Sequence, residues 1–263
     1  MLLYQFVIVR NGNKTKCDNV ELAIAHLSAM TAQTIQKRLN KLGNKERAAI
    51  SRRFFKTGPG QYGEGDVFIG IRVPVLRALV KEYVDLSVEQ ILILLRSHIH
   101  EERLLALLLL VDLFTKGDDA VRTSIYESYL KNIRFVNNWD LVDSSAAQIV
   151  GAYLMDRSKA VLYRLAESVN LWERRISIMS TFYFVKHHEF SETLKISKML
   201  LFDRQDLIHK ATGWMLREIG KRHLQTEENF LKTHYTEMPR TMLRYAIEKF
   251  PEQKRQRYLK GKV

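Results

Sequence analysis

The chain has 263 residues, 46% hydrophobic and 27% charged, which is ample for a packed core in one large domain or two small ones and excludes intrinsic disorder. Lysine and arginine number 42 against 29 aspartate and glutamate; the resulting net charge of +13 points to a polyanionic partner, nucleic acid first, with protein and membrane surfaces also open. Cys17 is the single cysteine, which rules out an internal disulfide framework and fits a reducing cytosol.

At the N-terminus, residues 2–9 are apolar but lack a preceding basic stretch and a cleavage site, which argues against a signal peptide. Residues 1–29 read as a dispensable extension, either a short extended segment or disordered, and residues 30–263 as one domain. Thr31 enters a helix that continues through Leu39 and Leu42. Gly58-Pro-Gly60-Gln-Tyr-Gly63 satisfies a dinucleotide-binding pattern by letter, but it follows a helix and not a strand, so a flexible loop through Gly65 and Asp66 is the expectation. The apolar run at 104–114 is too short and too closely flanked by charge to span a bilayer. His98, His100, Glu101 and Glu102, like His187, His188 and Glu189, are ligand types without zinc spacing; solvated helix ends are expected there, and no metal.

Asn137-Asn138-Trp139-Asp140-Leu141-Val142-Asp143 sets an indole and a carboxylate four residues apart, on one helix face, as a cationic substrate requires. With Asn137 or Asn138 as cap, Asp140 and Asp143 fall in or near the first turns, where the helix dipole favours their ionised form. Taken alone, the pair also reads as a packing tryptophan and a surface charge. Asn170 caps the next such helix, in which Trp172 is assigned to packing and Arg175 is available to a phosphate. Over residues 207–221, Lys210, Trp214, Arg217 and Lys221 share one face, a basic stripe with an exposed aromatic inside it, and Gly213 allows close approach. The basic run at 254–260 reads either as a phosphate contact or as a frayed helix.

Four prolines, twelve glycines and apolar spacings of three and four make the chain all-α. Arg103, Asp143, Arg175, Lys210 and Arg240 each open an apolar-rich segment, at intervals of 40, 32, 35 and 30 residues. Two antiparallel helices with their loops have that length, and such hairpins bury their apolar faces only by stacking into a curved α-solenoid of HEAT-like pairs. One helix of each pair then lines a basic concave face, where Arg103, Arg174 and Arg240 join Lys210, Arg217 and Lys221 as expected DNA contacts.

Asn138-Trp-Asp-Leu-Val-Asp143, Leu171-Trp-Glu-Arg-Arg175 and His209-Lys-Ala-Thr-Gly-Trp-Met-Leu-Arg-Glu218, in this order and with Phe68-Ile-Gly-Ile-Arg-Val-Pro74, resemble the signatures of AlkD-type DNA alkylation repair glycosylases, HEAT-like repeat enzymes. The likeness runs from about residue 54 to residue 250. It implies base-excision repair: hydrolysis, without cofactor, of the N-glycosidic bond of cationic N3- and N7-alkylated purines such as 3-methyladenine and 7-methylguanine in duplex DNA. In that resemblance Asp143 stabilises the developing sugar cation and orients or deprotonates water, Trp139 and Trp214 hold the deoxyribose, and Arg175 grips the nearby phosphate. No lysine stands at the Asp143 position, which implies a monofunctional hydrolase without lyase activity. A cytoplasmic monomer, nucleoid-associated when on DNA and needing no membrane or obligate protein partner, completes the expectation. Asn138 stands where some members carry a second tryptophan, and Phe54 where others carry tyrosine, which leaves rate and lesion range open. A noncatalytic HEAT-repeat binder of structured DNA or protein is the alternative.

Overall fold

The computed structural model describes residues 30–263; the extension expected over 1–29 lies outside them. Helices α1 (Ala32–Leu42) and α2 (Lys45–Phe54) precede a long loop, after which come α3 (Val73–Glu82), α4 (Val88–Leu95), α5 (His100–Lys116) and α6 (Asp119–Lys131). The short α7 (Trp139–Asp143) leads through a π-helical turn (Ala147–Gly151) into α8 (Ala152–Leu154). Then follow α9 (Ala160–Ala166), α10 (Leu171–Lys186), α11 (Ser191–Met199), α12 (Asp206–Gly220), α13 (Leu224–His234), α14 (Arg240–Ala246) and α15 (Glu252–Leu259). Among the described residues there is no strand, only an isolated parallel bridge between Val67 and Ile99, and no helix long and apolar enough to cross a membrane.

The helix starts follow the capping chemistry of the sequence. Side chains of Thr31, Asn44, Ser87, Asp118, Asn138 and Asn170 each accept a backbone N–H of the turn they open. The fold is the all-α solenoid that the repeat spacing implies. Its inner row runs α5, α7 with the π turn, α10, α12 and α14, each packed on the next, while α4, α9 and α13 pack as outer partners. Two apolar clusters fill it, and they meet on α12, where Met215 faces one and Leu216 the other.

Two local expectations change. Asp143 does not open a helix; it closes the one-turn α7. The break comes at Ser145, whose Oγ donates to the Leu141 carbonyl at 2.6 Å while its amide turns to Val142; Ser144 keeps its amide on the Asp140 carbonyl and adds its Oγ there at 2.6 Å. The C-terminal basic run is likewise no frayed end, since Tyr258 seals α15 into the second cluster.

Glycine is required at two contacts of the inner row. A Cβ on Gly151 would stand 2.2 Å from the Ser180 carbonyl oxygen of α10, and one on Gly213 would stand 2.4 Å from the Met242 carbonyl oxygen of α14. The close approach that Gly213 permits is therefore between helices. Gly151→Ala should cost about 1–3 kcal/mol through overpacking, seen as a melting temperature lower by several degrees in a circular-dichroism scan; an unchanged melt would mean that α10 can move aside.

Candidate nucleic-acid interface and active site

Because α7 is a single turn, Asp143 lies at its C-terminal end, where the helix dipole does not favour an anion. The expectation of an N-terminal dipole holding the charge is therefore corrected: a guanidinium does it. Arg175 of α10 donates from Nε to Asp143 Oδ1 at 2.9 Å and from Nη2 to Oδ2 at 2.8 Å, a two-pronged fork. The pair is mostly buried, with side-chain exposures of 5% for Arg175 and 17% for Asp143. Burial pushes the Asp143 carboxyl above the usual aspartate value; Arg175 pulls the other way without cancelling it, and the nearby Asp140 adds to the rise.

Arg175 was expected to grip a phosphate. Its third nitrogen, Nη1, donates to the Leu207 carbonyl, so every guanidinium nitrogen is committed to the protein. Arg103 is likewise committed to the protein: it is buried, and donates to Asp66 and to the Ser97 carbonyl. Arg174 pairs with Asp203 and donates to the carbonyls of Ser168 and Val169, closing the turn before α10. Arg217 is half-buried against Glu248.

Of the expected contacts, Lys210 and Lys221 are the accessible members of the stripe, Lys210 in an exchangeable surface pair with Asp206 and Lys221 paired with the buried Glu218. Arg240 is exposed at the start of α14. Trp214 is half-buried, its indole Nε1 donating to Glu218 at 3.2 Å. Trp172 is buried, as packing required.

Two clefts meet at Trp139. One, of about 560 Å³, is walled by Phe54, Lys56, Tyr62, Trp139, Lys210, Trp214 and Tyr245, with Arg175 in its lining. The other, of about 730 Å³, has Asp143 and Trp139 at one end, an apolar floor of Leu104, Leu108 and Val111, and the cations Arg77 and Lys81 at its rim. Trp139 thus borders both, and the Asp143–Arg175 pair links them, Asp143 lining one and Arg175 the other. The ring of Trp139 is fixed by Phe55, stacked at 5.4 Å, and by Phe54, edge-on at 6.0 Å.

Arg77, Lys81 and Lys56 were not singled out in the sequence. They are exposed, and their side chains make no ion pair or hydrogen bond among the described residues. For the first two the signal was a pair of cations four apart on α3, between apolar neighbours. Tyr62 was hidden in the glycine loop, which is braced by Gln61 and Glu64 side chains on the amides of Gly58 and Gly60. His100, Glu101 and Glu102 are buried, not solvated. Glu101 accepts the amides of Ile69, Gly70 and Ile71, and His100 lies between Asp66 and Asp140. His187 and His188 are exposed, and no group of three potential metal ligands forms among the described residues.

A family model for DNA alkylation repair enzymes matches residues 35–250 of the chain. Among solved structures, a predicted DNA alkylation repair enzyme from Enterococcus faecalis is similar at a TM-score of 0.63 and 18% identity, over 80% of this chain and 97% of that one. At that identity the likeness bears on the fold. No curated protein matches the chain.

The Asp143–Arg175 fork makes a signed prediction. In Arg175→Gln the buried carboxyl loses its cation, so its folded pKa rises further and ionising it becomes costly. The loss should be about 3–5 kcal/mol at about pH 8 and should shrink as the pH falls through the folded pKa, where Asp143 takes up a proton. Urea unfolding at the two extremes checks this; an equal loss at both would mean that the pair is not the source.

Proposed function

The chain belongs to the DNA alkylation repair enzyme family, and from that premise we propose that it is a monofunctional DNA glycosylase that hydrolyses the N-glycosidic bond of cationic N3- and N7-alkylated purines in duplex DNA. The observation that carries this reading is a carboxylate held by Arg175 beside the Trp139 indole, in a groove whose cations Arg77 and Lys81 have no partner among the described residues. A positively charged purine is already a good leaving group, so the need is to stabilise the sugar as it becomes cationic. Asp143 supplies a negative charge there, in a partly desolvated site where attraction is strong. Its carboxylate also orients or deprotonates the water that attacks the anomeric carbon. Trp139 and Trp214 offer ring faces to the deoxyribose, which suits a cationic species, and Tyr62 and Tyr245 extend that wall.

Arg175 acts here by holding Asp143. Phosphate contacts pass to Lys56, Arg77, Lys81 and Lys210, which line the two clefts, with Lys221 and Arg240 beyond them. In this reading the protein works as a cofactor-free monomer on DNA in the cytoplasm. One observation favours a second reading, a noncatalytic binder of structured DNA: both Asp143 oxygens are already satisfied by Arg175.

Release of free methylated purine from methylated duplex DNA separates the two. At equal DNA occupancy, Asp143→Asn should slow release about 10²–10³-fold while binding is kept; wild-type protein that binds but releases nothing would leave the binder. The interface is tested by salt. Arg77→Ala with Lys81→Ala should lower the slope of log K against log salt by about 2, since each phosphate contact contributes about 0.9. An unchanged slope in anisotropy titrations would move the DNA off this rim.

A further inference from the structure

We infer that His100 is a positioning residue for this site: bridging Asp66 and Asp140, and stacked on Phe68, it fixes the one-turn helix that carries Trp139 and Asp143. The inference rests on the glycosylase reading for its kinetic consequence, though not for its geometry. A five-residue helix has almost no stability of its own, so the direction of α7 comes from what it is fastened to. The side chain of His100 is 2% exposed, with Nε2 at 2.8 Å from Asp140 Oδ2 and Nδ1 at 3.1 Å from Asp66 Oδ2. Asp66 also accepts from Asn138 Nδ2 at 2.9 Å, and Asn138 in turn caps α7. The residues on either side of Trp139, Asn138 and Asp140, are thereby tied to one buried carboxylate and one imidazole.

The rings continue the support. His100 stacks on Phe68 at 4.4 Å and lies against Phe55 at 5.1 Å, and Phe55 stacks on the Trp139 indole. Both imidazole nitrogens face carboxylate oxygens. A neutral ring donates through only one of them, so the geometry calls for imidazolium. Charge agrees: Asp66 and Asp140 bring two negatives against the single guanidinium of Arg103, and a protonated His100 balances the cluster. Desolvation works against the charged ring, but its bonds to Asp140 and Asp66 outweigh that and leave its pKa above the ordinary histidine value, with Arg103 opposing. For a folded pKa that is raised, the clamp is complete below the unfolded value and is lost as pH rises through the folded one.

The test uses the full chain on duplex DNA with a single 7-methylguanine. Single-turnover base release is followed against pH, together with the indole N–H resonance of Trp139 in the same protein. The wild-type rate should fall on the alkaline side as that resonance shifts, with one midpoint for both. Asparagine places its amide near the Nδ1 position and glutamine near Nε2. His100→Asn, which reaches Asp66 only, should therefore be slower by at least about tenfold at unchanged DNA affinity, without the alkaline titration. His100→Gln, which keeps the bond to Asp140, should recover much of the rate. Folded variants with wild-type rates, or a wild-type Trp139 signal that ignores pH, would overturn the inference; the wild-type titration decides it even where a variant fails to fold. If the resonance titrates as described but the wild type releases no base, the positioning role stands and the glycosylase reading falls.

Discussion

A carboxylate taken out of water costs several kcal/mol unless a cation and its hydrogen bonds replace the lost solvent, and Asp143 is retained in its groove by one guanidinium. Arg175 can provide it because α10 packs against α7, so that residues 32 positions apart in the chain meet as a two-pronged pair. The stacking of the inner helices is thus also the assembly of the site. Gly151, which lets the π turn approach Ser180 of α10, belongs to that constraint as much as the charged pair does.

Around the fork, the structure spends its cations in two ways. Arg103, Arg174 and Arg175 face inward onto Asp66, Asp203 and Asp143, and fix loops and short helices. Arg77 and Lys81 beside one cleft, and Lys56 beside the other, are exposed with no partner among the described residues. On the proposed reading the first set is structural and the second serves recognition, and only the second would contribute to salt-dependent binding.

The helical class and the repeat were legible because they are carried by local spacing: caps such as Thr31 and Asn170 and the three-and-four periodicity act within a few residues. Trp139, Trp214 and Asp143 stand out in the sequence by residue type and spacing. What the sequence did not disclose was pairing. Arg103 and Arg175 look like any helix-surface arginine until a distant aspartate is placed against them, and His100-Glu101-Glu102 looks solvated until the 66–71 segment wraps over the start of α5. The break after Asp143 was also hidden, because it depends on the Ser145 rotamer that places Oγ on the Leu141 carbonyl. In each case the missing information was a long-range contact, not a local propensity.

On the proposed reading, an ionised Asp143 does the chemistry. The most direct measurement follows the carboxyl carbon resonance of Asp143 in the DNA complex across pH and sets it beside the single-turnover rate of methylated-purine release above the enzyme-free background. Rate and ionised fraction should rise together, with a shared midpoint above the ordinary aspartate value. A release rate indifferent to that titration would contradict it.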